Sequence, residues 1–118
     1  MASYSVHMTK MAERDVAEAV GYLLGQGENQ AAKELADELD KVIVSLETYP
    51  FRAHVPFELK DFPDKSVREI SVFGFRPIFR VLDREVFVLF VAHSKRSIED
   101  ELIQRAMRFG LWGFNAEE

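Results

Sequence analysis

No cysteine occurs among the 118 residues. A thiol nucleophile, a disulfide framework and a zinc–thiolate centre are excluded with it. Long apolar runs are missing too: the longest unbroken one is Val86-Phe87-Val88-Leu89-Phe90-Val91-Ala92, too short to span a membrane. With no basic-plus-apolar leader ahead of it, the chain is expected to be cytoplasmic and to have no membrane partner. An excess of positive charge is also lacking, and a net charge of −5 argues against coating nucleic acid by charge alone. What remains is a chain long enough to form one domain and bury a core without staples.

The charge is uneven. Residues 1–50 carry four basic and nine acidic side chains, whereas residues 51–118 carry eleven of each. The second part is neutral overall but rich in arginine, which leaves room there for a local basic site.

The most informative stretch is 67–96. Its run 86–92 mixes β-branched and aromatic residues without Gly or Pro, as expected of a central strand buried on both faces. Before it, 75–82 alternates, with Phe75, Pro77, Phe79 and Val81 on one face and Arg76, Ile78, Arg80 and Leu82 on the other. One face should meet a core, and the face with the two arginines should be exposed. Asp83-Arg84-Glu85 forms a tight polar connection between the two, so they make an antiparallel hairpin. A third run over 67–72 joins through Phe73-Gly74, completing a meander. Pro77 is unusual within it, because a strand proline normally marks an edge or a bulge.

Upstream, Tyr4-Ser5-Val6-His7-Met8 alternates as a short strand, and Thr9 offers an N-cap. Ala12, Val16, Ala19, Val20 and Leu23 recur at helical spacing up to Gly25-Gln26-Gly27, where glycine ends the helix. Ala32, Leu35, Ala36, Leu39, Val42, Ile43 and Leu46 give a second amphipathic helix, stopped by Tyr49-Pro50. Residues 51–66 read as a connecting loop. After the meander, Ser97 caps a last helix to about Arg108, with Glu99, Asp100 and Glu101 in its first turn. The order β-α-α-β-β-β-α predicts an α+β domain over 1–108, a helical hairpin packed on a small, mostly antiparallel sheet. Residues 109–118 form an aromatic, then acidic, tail.

These features resemble the RelE/ParE superfamily, the toxins of bacterial type II toxin–antitoxin modules. The resemblance covers nearly the whole chain and rests on Leu46-Glu47-Thr48-Tyr49-Pro50, Val67-Arg68-Glu69-Ile70, Gly74-Phe75-Arg76 leading into Ile78-Phe79-Arg80-Val81, and Val91-Ala92-His93-Ser94-Lys95-Arg96. It implies a cognate antitoxin as partner, in a dimer or a heterotetramer, and no cofactor. Two activities occur in the superfamily. RelE-like members cut messenger RNA on the ribosome, and ParE-like members poison DNA gyrase.

Cleavage by 2′-hydroxyl attack needs a base, a cation for the developing phosphorane charge and an acid for the leaving oxygen. In RelE-like enzymes this work falls to strand lysines, two arginines and a C-terminal tyrosine. Arg76 and Arg96 match the arginines, but the lysine positions fall on Val67 and Glu69, and the tyrosine position falls on Leu102. An acid at 69 would repel a phosphate. His93 could serve where family members use a histidine instead. The second-strand Val-Arg-Glu-Ile and the His-Ser-Lys-Arg strand end resemble the ParE-like group more closely, although Phe79 stands where the family usually has tyrosine.

The leading expectation is therefore a ParE-like gyrase inhibitor, with Arg68, Arg76, Arg80, Lys95 and Arg96 binding target or antitoxin. The alternatives are an endoribonuclease using Arg76, His93 and Arg96, with ribosome and mRNA as partners, and a non-toxic relative that keeps only antitoxin binding. Without the family, the arginines read as ordinary solvated or salt-bridged residues, and His93 as a structural strand-end histidine. His7 and His54 have no ligand partner at metal spacing, so no metal site is expected.

Overall fold

The computed structural model describes residues 3–61 and 63–93. The expected last helix, the 109–118 tail, the domain limit at 108, and Lys95 and Arg96 lie outside the described residues. Strand β1 (Ser5–Met8) leads into helices α1 (Lys10–Gly25) and α2 (Asn29–Ser45). Strands β2 (Val67–Glu69), β3 (Phe75–Leu82) and β4 (Glu85–His93) follow. The sheet order is β1-β4-β3-β2, with β1 parallel to β4 and the other pairs antiparallel. The mostly antiparallel α+β arrangement is thus present, and β4 is an inner strand, paired on both sides.

The helices form where the apolar stripes fall. Ala12 and Leu46 pack with Phe79, Val81, Val86 and Val88, while Leu35 and Leu39 pack with Val72. Thr9 caps α1, accepting from the Ala12 N–H at 3.1 Å, and its hydroxyl donates to the Leu89 carbonyl at 2.8 Å. That carbonyl belongs to a bulge: Ile78 pairs with Phe90 but Phe79 pairs with Val88, leaving Leu89 as the extra residue. The nearby Val91 N–H donates to the Asp15 carboxylate at 2.9 Å. The first turns of α1 thereby satisfy backbone groups that the irregular ladder leaves open.

Pro77 does lie inside β3, opposite Val91. The Val81 N–H donates across to Ser66 of the β2 side, and alternation puts the missing Pro77 N–H on that same side. The β2–β3 ladder duly ends at Glu69 and Ile78, one residue short of it.

Two expectations need correction. The segment 51–66 is more than a connection: its 3₁₀ turns Pro50–Arg52 and Phe57–Leu59 bury Pro50, Ala53, Pro56 and Leu59. The arginine-bearing face of β3 is also not open to solvent. Leu59 packs there with Val67, Ile78 and Phe90, forming a second core over the sheet face opposite Phe79 and Val81. A sheet with both faces covered needs apolar residues on both, which explains why Ile78 and Phe79 are each fully buried.

Candidate functional site

The Phe57–Leu59 turn brings Glu58 over β3, where Arg76 meets it. The guanidinium donates from Nη1 and Nη2 to the two Glu58 oxygens at 3.0 and 2.7 Å, and from Nε to Glu69 at 2.6 Å. Only 12% of the Arg76 side chain is exposed, against 16% for Glu58 and 8% for Glu69. His54 adds its Nε2 to the other Glu69 oxygen at 3.0 Å. The hydrogen bonds from Arg76 hold the Glu58 carboxyl below its ordinary range against the opposing effect of burial. The same bonds hold Arg76 more firmly protonated than a free guanidinium. One cation therefore faces two carboxylates.

The neighbouring arginines are engaged as well. Arg80 donates from Nε to the Ser66 hydroxyl at 3.2 Å and lies 3.7 Å from Asp64. Burial alone would raise the Asp64 pKa, but hydrogen bonds from Ser66 and the charge of Arg80 hold it low. Arg68 donates to the carbonyls of Lys65 and Ala53 at 2.9 and 3.1 Å and stacks over Phe51. The sequence expectation of an exposed arginine face is overturned for Arg76 and Arg80, whose side chains are 12% and 19% exposed.

His93 is elsewhere. It pairs with Phe75 across the strands and meets its ring edge-on at 5.0 Å, whereas Arg76 pairs with Ala92. Directly opposed residues share a face and consecutive ones do not. Arg76 and His93, the two described members of the expected nuclease set, therefore sit on opposite faces of the sheet and cannot converge on one phosphate.

On the His93 side lies a groove of about 900 Å³ between the helices and the sheet. Leu23, Leu35, Phe75 and Val91 floor it, and Asp15, Glu18 and Glu34 contribute acidic side chains. Tyr22 and Phe73 flank it with 67% and 62% of their surface exposed. The groove was not legible in the sequence, because it joins residues from α1, α2 and the β3–β4 end. Glu58 was missed for the same reason; only a charge in an otherwise apolar Pro-Phe-Glu-Leu turn hinted at it.

No curated protein matches the chain. Among solved structures, one from the chromosomal ParDE toxin–antitoxin system of P. aeruginosa superposes with a TM-score of 0.64 at 15% identity, covering 80% of this chain and all of that one. The free E. coli toxin RelE, an arginine double mutant, gives 0.58 at 19% identity, over 89% of this chain and 95% of that one. At such identities these neighbours show the fold alone. The sequence model of the ParE toxin of type II toxin–antitoxin systems, parDE, matches residues 6–98. That span contains both described helices, the described sheet except Ser5, and the arginine–carboxylate cluster, and the chain belongs to the ParE toxin family.

Proposed function

We propose that this ParE-family toxin acts by binding a protein target, DNA gyrase, in the cytoplasm, and that a cognate antitoxin neutralises it. The observation that carries this reading is the commitment of Arg76 to Glu58 and Glu69. A phosphoryl-transfer site needs an unneutralised cation facing the phosphate. Here the cation is matched by two carboxylates, and a polyanion approaching it would be repelled. His93 lies on the other sheet face, so it supplies no base to that cluster.

The groove suits the antitoxin. Its apolar floor and acidic side chains favour an amphipathic segment with apolar residues on one side and lysine or arginine beside them.

The test is a supercoiling assay with purified gyrase and folded toxin, run beside primer extension on messages from expressing cells. Inhibited supercoiling with uncut messages is the expected outcome. Unchanged supercoiling with discrete cuts at ribosome-occupied codons would overturn the reading.

A further inference from the structure

A second surface shares no residue with the groove and borders the arginine–carboxylate cluster, since Phe57 precedes Glu58 and Arg68 precedes Glu69. Three aromatic side chains of the α2–β2 connection are largely exposed: Tyr49 by 59%, Phe51 by 51% and Phe57 by 73%. Each holds a cation over its ring, Arg52 over Tyr49 at 5.8 Å, Arg68 over Phe51 at 5.0 Å and Lys60 over Phe57 at 5.1 Å. Lys65 links the last two, since its Nζ donates to the Lys60 carbonyl at 2.7 Å and its own carbonyl accepts from Arg68 at 2.9 Å. The result is a continuous strip in which rings and positive charges alternate.

Its charge is not cancelled locally. Of the four acids in the same connection, Glu47 is exposed at its start, ahead of Tyr49, Glu58 is held by Arg76, and Asp64 by Ser66 and Arg80. Asp61, 3.9 Å from the Lys60 ammonium and 92% exposed, offers a weak surface pair. The helical half of the molecule carries the acid excess, so the strip is a basic island on an acidic protein.

We infer that this strip, from Tyr49 to Arg68, is a docking surface for a short acidic protein segment with apolar side chains among its carboxylates. Carboxylates would pair with Arg52, Lys60, Lys65 and Arg68, while apolar groups cover the free surface of Phe51 and Phe57. Arg68 is fixed by two backbone carbonyls, and preorganisation of that kind lowers the ordering cost of binding. A long polyanion fits less well: the negative field of the rest of the chain opposes it, whereas a short segment feels mainly charges within a Debye length of about 8 Å. The inference does not depend on which target the toxin acts upon.

The test is fluorescence anisotropy with the full chain and three labelled probes: a peptide in which Glu and Asp alternate with Leu and Phe, the same peptide with Lys replacing the acids, and oligo-dT. The acidic peptide should bind, and binding should weaken at least tenfold in the Lys60→Glu/Lys65→Glu variant and severalfold in Phe51→Ala/Phe57→Ala. These side chains are exposed or lie on the surface, and a circular-dichroism melt confirms that each variant folds. Glu13→Lys, on the exposed part of α1, should leave binding unchanged. Oligo-dT binding as tightly as the acidic peptide would overturn the inference in favour of nucleic acid. No binding of the acidic peptide, or equal binding by the charge-reversed variant, would overturn it outright.

Discussion

Arg76 grips both carboxylate oxygens of Glu58 across eighteen positions of sequence and fastens the Phe57–Leu59 turn to the far face of the sheet. Removing either partner leaves charge behind where little water reaches. Arg76→Ala strands two nearby carboxylates and should cost roughly 3–5 kcal/mol, whereas Glu58→Gln, which leaves Glu69 to hold the guanidinium, should cost about 1–3 kcal/mol. Urea unfolding measures both. In a protein-binding toxin the loss of toxicity in these variants should track the lost folded fraction, with Glu58→Gln the milder in both.

The same pairing sets a pH dependence. Glu58 and Asp64 titrate below their ordinary values of 4.5 and 3.8. A carboxyl with a depressed folded pKa contributes stability that is complete above its unfolded value and is lost as pH falls through the folded one. The urea midpoint should therefore hold from about pH 7 to about pH 5 and drop below about 4.5. Glu58→Gln should start lower at neutral pH and fall less steeply in acid.

Thr9 joins helix to sheet by serving two elements at once, capping α1 and binding the Leu89 carbonyl at the bulge. It is 5% exposed, so neither bond is replaced by water. Thr9→Val keeps the shape and loses both bonds, with an expected cost of about 2 kcal/mol. Thr9→Ser keeps both hydroxyl bonds and should lose well under half of that. Thermal unfolding of the pair separates the hydroxyl from the methyl.

Much of this fold is written in local pattern. The stripes of α1 and α2, the Thr9 cap, the 75–82 alternation and the central 86–92 run each follow from spacing that a single element imposes on its own residues. What the pattern does not carry is the path of 50–66. Its prolines and charges read as a loop, yet Leu59 closes over the sheet while Glu58 engages Arg76 and Asp64 and Ser66 engage Arg80, leaving both arginines largely covered. Contacts between residues fourteen to eighteen apart, without a periodic element between them, leave no local signature. The separation of Arg76 from His93 was available from alternation alone once their cross-strand pairing was known, but register is set by the bulge at Leu89, which no residue type announces.

The turn at Phe73-Gly74 shows where stability and binding pull apart. Val72 and Phe75 exchange both backbone hydrogen bonds, at 2.9 and 2.8 Å, across two residues with φ of 48° and 83°. Two left-handed residues between paired neighbours make the mirror-image hairpin turn that favours Asn-Gly. Phenylalanine in that conformation costs about 1 kcal/mol relative to asparagine, and its ring is 62% exposed beside the groove. Strain of this kind persists where function holds the residue in place. Phe73→Asn should therefore raise the urea unfolding free energy by about 0.5–1 kcal/mol while removing an aromatic wall from the groove. If an antitoxin segment lies there, its affinity for the variant should fall about tenfold or more, as expected for loss of an aromatic anchor. Isothermal titration against the purified antitoxin reads this directly, and an unchanged affinity in the stabilised variant would move the antitoxin off this groove.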